Sequence, residues 1–393
     1  MAAAGVMRRA VLRAPRRLAL EDGPLPAPGP GEVLVRVRAA LTCGTDLKTY
    51  RRGHARLGPG PFGHEAAGDV VAVGPGVAQV RPGDAVMYVP TAGCGQCAAC
   101  RRGAENHCPR LFQDIVLGAY AEHVLVTPPV AARHLFPKPP ELRYTEAAFL
   151  EPLACVLHGW RRLGLLGRAD GWAGNGGPSV AVVGSGAIAF LFLLTGLRLG
   201  LRPAVVARRR DRLELVAALG GLPVDVSGGE GGAHGRGEAA GLGKAHRRGA
   251  PGASGSETVR RHLEGALGEA PDVVVEATGS AAVWTAAPAW VRSGGSVLLF
   301  GGLAPGARAT FDAARLHYGE VDLVSAFHYT SDDVAEARRW LAERRINVGP
   351  LVTAVRPLGE IVEVFQELDR GAHLKVAIVP DGAAPLAGEP PWP

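Results

Sequence analysis

From Ser179 to Leu199 the chain reads SVAVV, then Gly184-Ser185-Gly186, then AIAFLFLLTGLRL, and no other segment limits the fold so tightly. A continuous apolar strand that turns through glycines into an apolar helix opens a βαβ unit. Gly184 supplies the tight turn and Gly186 lets phosphate approach the backbone, while Ala187 and Ile188 start a helix whose free N–H groups face the anion. Ala189 fills the third small-residue place and permits close packing of helix on strand. The segment predicts a dinucleotide cradle. PAVVA, DVVVEA, SVLLF and DLVSA follow in the same rhythm, separated by helical stretches, so this region is α/β with a doubly wound parallel sheet.

At the end of the second strand an acidic residue would grip the adenosine ribose of NAD, but Ala207 stands there, followed by Arg208, Arg209 and Arg210. Cations suit a 2′-phosphate, so the sequence leans to NADP. An arginine stacked on adenine, or a solvated charge at a helix start, would look the same.

A second constraint lies upstream. Cys94, Cys97 and Cys100, closed by Cys108, put four sulfurs on one loop at the spacing of a closed structural zinc site. Two disulfides or free core thiols are the alternatives. Cys43-Gly44-Thr45-Asp46, Gly63-His64-Glu65 and Glu151-Pro152-Leu153-Ala154-Cys155 offer a thiolate, an imidazole and a carboxylate, the donor set of a catalytic zinc that keeps one position open. Each alone is weak, since a lone cysteine or histidine is usually a core residue. Their joint appearance with the cysteine loop and the glycine turn singles them out.

The first third is β-rich, with Glu32 to Ala39 alternating as EVLVRVRA and similar runs at Ala67 to Val73 and Ala85 to Val89. At 393 residues the chain exceeds one core and predicts two domains. Its net charge of +6 comes from 43 basic against 37 acidic residues spread along the chain, which argues against nucleic acid as a partner. The N-terminus has no apolar core before its arginines, so a secretory signal is not expected and a cytoplasmic location is. Trp172 to Leu197 carries no charge and is long enough to imitate a membrane span, but its glycines split it into loop, strand, turn and helix, so no membrane partner is expected. Residues 226–256, rich in Gly, Ala and scattered charge, read as a disordered insertion, and 382–393 as a frayed tail.

GHEAAGDVVAVGPGV at Gly63 to Val77, CGTD, the four-cysteine loop, VVVEATG and GGSVLLFGG together resemble the zinc-dependent medium-chain alcohol dehydrogenase superfamily over nearly the whole chain. FLEPLACVLHG around Glu151 is similar to the polyol (sorbitol-type) and threonine dehydrogenase branch, where glutamate replaces a cysteine ligand. The resemblance implies a GroES-like catalytic domain over 1–157 with its zinc lobe at 93–109, a Rossmann NAD(P)-binding domain over 158–326, and a return to the catalytic domain over 327–381. It implies two zinc ions per subunit, one structural and one held by Cys43, His64 and a glutamate, with Glu65 and Glu151 able to exchange roles at the metal. It also implies that Asp46 orients His64 and Thr45 relays a proton, that Arg212 contacts the cofactor ribose or phosphate, and that Thr278 lies toward the nicotinamide half. Cys155, one helical turn beyond Glu151, is weighed as a further ligand against a core thiol. The expected activity is reversible hydride transfer between NAD(P) and a small-molecule alcohol of polyol, cyclitol or amino-alcohol type, in a homodimer or homotetramer. A zinc-free quinone reductase of the same fold and a non-catalytic zinc module are the competing readings.

Overall fold

The computed structural model describes residues 5–54, 57–167, 176–227 and 253–382. It comprises two compact units, Met1–His158 with His328–Pro393, and Gly159–Phe327.

The second unit is built on six parallel strands in the order Leu222–Asp225, Arg202–Ala207, Ser179–Val183, Val273–Glu276, Ser296–Leu299, Asp322–Ser325. The order reverses beside the first strand, the switch point at which open α/β sheets hold ligands. Helices cover a parallel sheet on both faces, and Ser179–Val183 is accordingly buried at every position. That is why SVAVV carries no polar alternation. Helix Ala187–Arg198 packs Phe190, Leu191, Phe192 and Leu193 into the interior. The uncharged run that imitates a membrane span thus divides into strand Ser179–Val183 and this helix. Among the described residues, no helix is long and apolar enough to cross a membrane.

The expected insertion over 226–256 needs correction at its C-terminal end, because helix Ala253–Leu267 begins inside it. Val259, Leu263 and Leu267 recur at four-residue spacing and bury against the sheet, an apolar face that composition alone did not reveal. At its N-terminal end, the Val226 N–H donates to the Ala207 carbonyl at 3.1 Å. Residues 228–252 lie outside the described residues, as do 383–393 of the expected tail.

In the first unit, strand Val33–Leu41 is central. It pairs antiparallel with Glu65–Val73, with His123–Val126 over its first half, and with Val376–Val379 at its end. Ala354–Pro357, Ala85–Tyr88 and Leu135–Pro137 complete a seven-stranded sheet. Val33, Val35, Val37 and Ala39 are buried on one face, while the other is wet only at its middle, where Arg36 is exposed and Arg38 half-buried between buried Leu34 and Ala40. The core gathers Tyr50, Phe62, Tyr120 and Phe365, with ring centroids 5.2–5.8 Å apart.

Candidate active site

Strand Val33–Leu41 delivers the chain to Cys43, which caps helix Gly44–Arg52: its Sγ accepts from the Thr45 N–H at 3.4 Å. Asp46, in the first turn, points inward and is buried. Gly63 reaches His64 with φ +92°, and a Cβ there would lie 2.7 Å from the Tyr120 ring, so glycine is required on both counts. Glu65 then begins a strand, directly opposite Leu41. Two neighbouring strand ends therefore bring Cys43, His64 and Glu65 together, with one ligand atom from each within 4.8 Å of the others.

The partners of this trio fix its orientation. Asp46 Oδ1 lies 3.0 Å from His64 Nδ1, leaving Nε2 as the nitrogen for a ligand. The Tyr120 hydroxyl donates to Asp46 Oδ2 at 2.6 Å. Burial opposes a charge on His64, but Asp46 and Cys43 outweigh it and hold its pKa well above the ordinary imidazole value. Burial, followed by the charge of Glu65, pushes the Cys43 thiol up. Lys375 Nζ donates to Glu65 Oε2 at 2.5 Å and to the Thr42 carbonyl at 2.9 Å. Burial works against the Lys375 ammonium, and Glu65 overcomes it to raise its pKa. Glu65 Oε1, by contrast, is buried without a hydrogen-bond partner. A buried carboxylate oxygen left bare beside a thiol and an imidazole suits a metal ion, so the residues present fit a zinc site.

Glu151 falls into a second group, with Cys155 and His328. Burial pushes its carboxyl up to about 7. Thr45 is exposed on the first turn of its helix, and its carbonyl accepts from the Thr49 hydroxyl at 2.8 Å.

All six cysteines of the chain are free of disulfides, and the four of the lobe, Cys94, Cys97, Cys100 and Cys108, converge within 4.8 Å. The Cys97 and Cys100 sulfurs are 3.4 Å apart, far beyond a disulfide bond, which sets that alternative aside. Backbone N–H groups of Cys94, Cys100 and Arg110 point at cysteine sulfurs at 3.4 Å, donors that steady thiolate ligands. The cluster fits a structural zinc.

In the second unit, Gly184 adopts φ +130°, and a Cβ there would press on Ala277 and Thr278 at 3.3 Å. Gly186 caps helix Ala187–Arg198 without a side chain, and a Cβ on it would meet nothing within 4 Å, so the helix N-terminus is open to a ligand. Glu276 is buried and takes the N–H groups of Thr278 and Gly279 at 2.8 and 3.0 Å, which fixes the turn carrying Thr278. Ala207 ends its strand buried. Arg208 is exposed, Arg209 Nη2 reaches Asp211 at 2.6 Å, and Arg212 is buried with Nε 3.6 Å from the same carboxylate.

Residues 29–140 match the model of the alcohol dehydrogenase GroES-like domain, and residues 183–343 that of the zinc-binding dehydrogenase. The chain belongs to the zinc-dependent medium-chain alcohol dehydrogenase superfamily. Sorbitol dehydrogenase of Gallus gallus is 30% identical over 392 residues, covering 96% of this chain and 98% of the relative. D-altritol 5-dehydrogenase of Agrobacterium fabrum is 31% identical over 356 residues, covering 89% and 92%. A zinc-binding dehydrogenase from Sinorhizobium meliloti 1021, solved bound to NADP, superimposes with a TM-score of 0.78 at 25% identity, covering 96% of this chain and 100% of that one. As a member of this superfamily, the protein is an NAD(P)-dependent oxidoreductase acting on alcohols, with a GroES-like unit and a Rossmann unit.

Lys375, Tyr120 and His328 escape the sequence reading. Lys375 leaves one trace, a lone cation ahead of the apolar run VAIV. Nothing local marks Tyr120, because its role arises from a contact 74 residues away.

Proposed function

We propose that this member of the family oxidises a polyol reversibly, with NADP preferred to NAD, at a zinc held by Cys43, His64 and Glu65. The bare, buried Glu65 Oε1 carries the reading. A zinc-free reductase would leave that oxygen and the convergent thiol and imidazole without purpose. When bound, zinc supplies Lewis acidity that favours the ionised form of an alcohol, and the dinucleotide supplies a hydride acceptor.

The chain's own residues prepare this chemistry. Asp46 keeps the His64 proton on Nδ1, so that Nε2 presents its lone pair. Lys375 anchors Glu65 through Oε2 and leaves Oε1 for the ion. Glu151 accepts from Cys155 on Oε1, and with its pKa near 7 it can hold or release a proton on Oε2 at neutral pH. The exposed Thr45 hydroxyl offers the path outward. Gly184, Gly186, Ala187 and Ile188 form the phosphate cradle, Thr278 flanks it, and Arg208, Arg209 and Arg212 with the uncharged Ala207 support the 2′-phosphate. The polyol class rests on the relatives that act on sorbitol and altritol.

An initial-rate screen of sorbitol, altritol, a cyclitol and threonine with each dinucleotide tests the reading. A polyol is expected to give the highest kcat/KM, with NADP above NAD and activity lost on chelation. Turnover undiminished after removal of all zinc would refute it.

A further inference from the structure

We propose that Glu276 and Trp284 are a positioning pair for the dinucleotide: the buried carboxylate ties together two turns beside the phosphate cradle, and the indole holds the carboxylate in place. The inference rests on the NAD(P) chemistry of the second unit and not on which dinucleotide is preferred.

Three neighbouring parallel strands, Ser179–Val183, Val273–Glu276 and Ser296–Leu299, end side by side, with Glu276 in register with Val183 on one flank and Leu299 on the other. The strand order reverses beside the first of them, so the ligand crevice opens at the turns that leave these ends. The turn after Glu276 forms a wall of the cradle: a Cβ on Gly184 would stand 3.3 Å from the Ala277 backbone and the Thr278 methyl. Any shift of that turn reshapes the cradle.

One carboxylate fixes it. Glu276 is fully buried, and its Oε1 accepts from the N–H groups of Thr278 and Gly279 at 2.8 and 3.0 Å and from the Thr278 hydroxyl. Its Oε2 accepts from the indole N–H of Trp284, on the short helix Ala281–Ala286, at 2.9 Å. The same N–H lies 3.2 Å from the Gly301 carbonyl, while Gly301 and Phe300 donate their N–H groups to the Glu276 carbonyl at 2.9 and 3.2 Å. A Cβ on Gly301 would collide with Gly279 N and Glu276 Oε2, so the two turns interlock around the carboxylate.

The direction of the effect separates positioning from charge. Thr278, Gly279 and Trp284 are neutral donors, and a buried carboxylate beside a bound diphosphate repels it. Acting through charge alone, Glu276 would weaken binding and its neutralisation would tighten it. Acting through order, its loss leaves donors unpaired and lets the turns relax, which weakens binding. Hydrogen bonds to a charged acceptor are about twice as strong as neutral ones, and several converge on this side chain, so ordering dominates.

Calorimetric titration of the full chain with NADPH and with NADH tests the pair. Glu276→Gln keeps the side-chain volume, removes the charge and, whichever way its amide turns, sets an NH2 against the N–H groups of Thr278 and Gly279 or against that of Trp284. It is expected to raise Kd for both dinucleotides at least about tenfold with a native circular dichroism spectrum. Trp284→Phe removes only the indole donor and is expected to raise both about threefold. The parallel loss distinguishes the pair from Arg208 and Arg209, which bear on the 2′-phosphate of NADPH alone. A purely structural role would lower thermal stability and leave Kd of the folded protein unchanged. Unchanged or tighter binding by folded Glu276→Gln therefore overturns the proposal, and where that variant does not fold, unchanged binding by Trp284→Phe overturns it. A wild type that binds neither dinucleotide overturns the NAD(P) reading itself, and the proposal with it.

Discussion

Asp46 binds His64 with one oxygen and Tyr120 with the other, so a single buried carboxylate sets the orientation of the ring at the proposed zinc site. Removing a group that orients a ligating histidine typically lowers metal affinity by about 10–100-fold, and Asp46→Ala is expected to do so in competition with a chromophoric chelator. Lys375→Ala leaves the buried Glu65 carboxylate unpaired and should destabilise the chelated protein by about 3–5 kcal/mol in urea unfolding, with much of the loss recovered on adding zinc. At this scale the sequence was legible where residue type and short spacing carry the chemistry: Cys43 with Asp46, His64 with Glu65, and the four lobe cysteines. It was illegible where a partner comes from far away. Lys375 meets Glu65 across 310 residues, only because Val376–Val379 pairs with the end of Val33–Leu41. Glu151 likewise meets His328 only through tertiary contact, and the charges of His64 and Glu65 act on its carboxyl.

The parallel sheet is tied at the N-terminal ends of its two central strands by Asp272, which accepts from the Ser179 N–H and hydroxyl at 2.8 Å and from Arg292 Nε at 2.6 Å. Burial pushes this carboxyl up, but Arg292 and Ser179 outweigh it and hold its pKa below the ordinary value. A lowered folded pKa means that the stabilisation is complete above the unfolded value of about 3.9 and drains away as pH falls through the folded one. Asp272→Asn should therefore cost about 1–3 kcal/mol at pH 7. The gap from wild type should narrow steadily below about pH 4 in urea titrations followed by tryptophan fluorescence. In the other unit, Cys97→Ser removes one of four lobe sulfurs and is expected to lower thermal stability and zinc content. Strand types were readable because burial leaves a signature: SVAVV is apolar throughout and buried at every position, whereas VLVRVRA breaks its apolar run with Arg36 and Arg38 where one face meets solvent. Helix Ala253–Leu267 was missed because its apolar face begins only after a glycine-rich approach that dominates the composition.

Over the whole molecule, the division into a discontinuous β-rich unit and a central Rossmann unit sets which functions can be altered separately. Dinucleotide choice belongs to the second unit. Replacing both Arg208 and Arg209 with serine should raise KM for NADP by at least about tenfold, the equivalent of about 1.4 kcal/mol, with little change for NAD. Metal chemistry belongs to the first unit, and the central claim is that the zinc held by Cys43, His64 and Glu65 is required for alcohol oxidation. Zinc content and polyol oxidation measured on the same sample of Cys43→Ser test it most directly. The expected result is one zinc ion fewer than wild type, a native circular dichroism spectrum and a loss of at least about a hundredfold in kcat/KM. A folded Cys43→Ser protein with wild-type zinc content and wild-type turnover would contradict it.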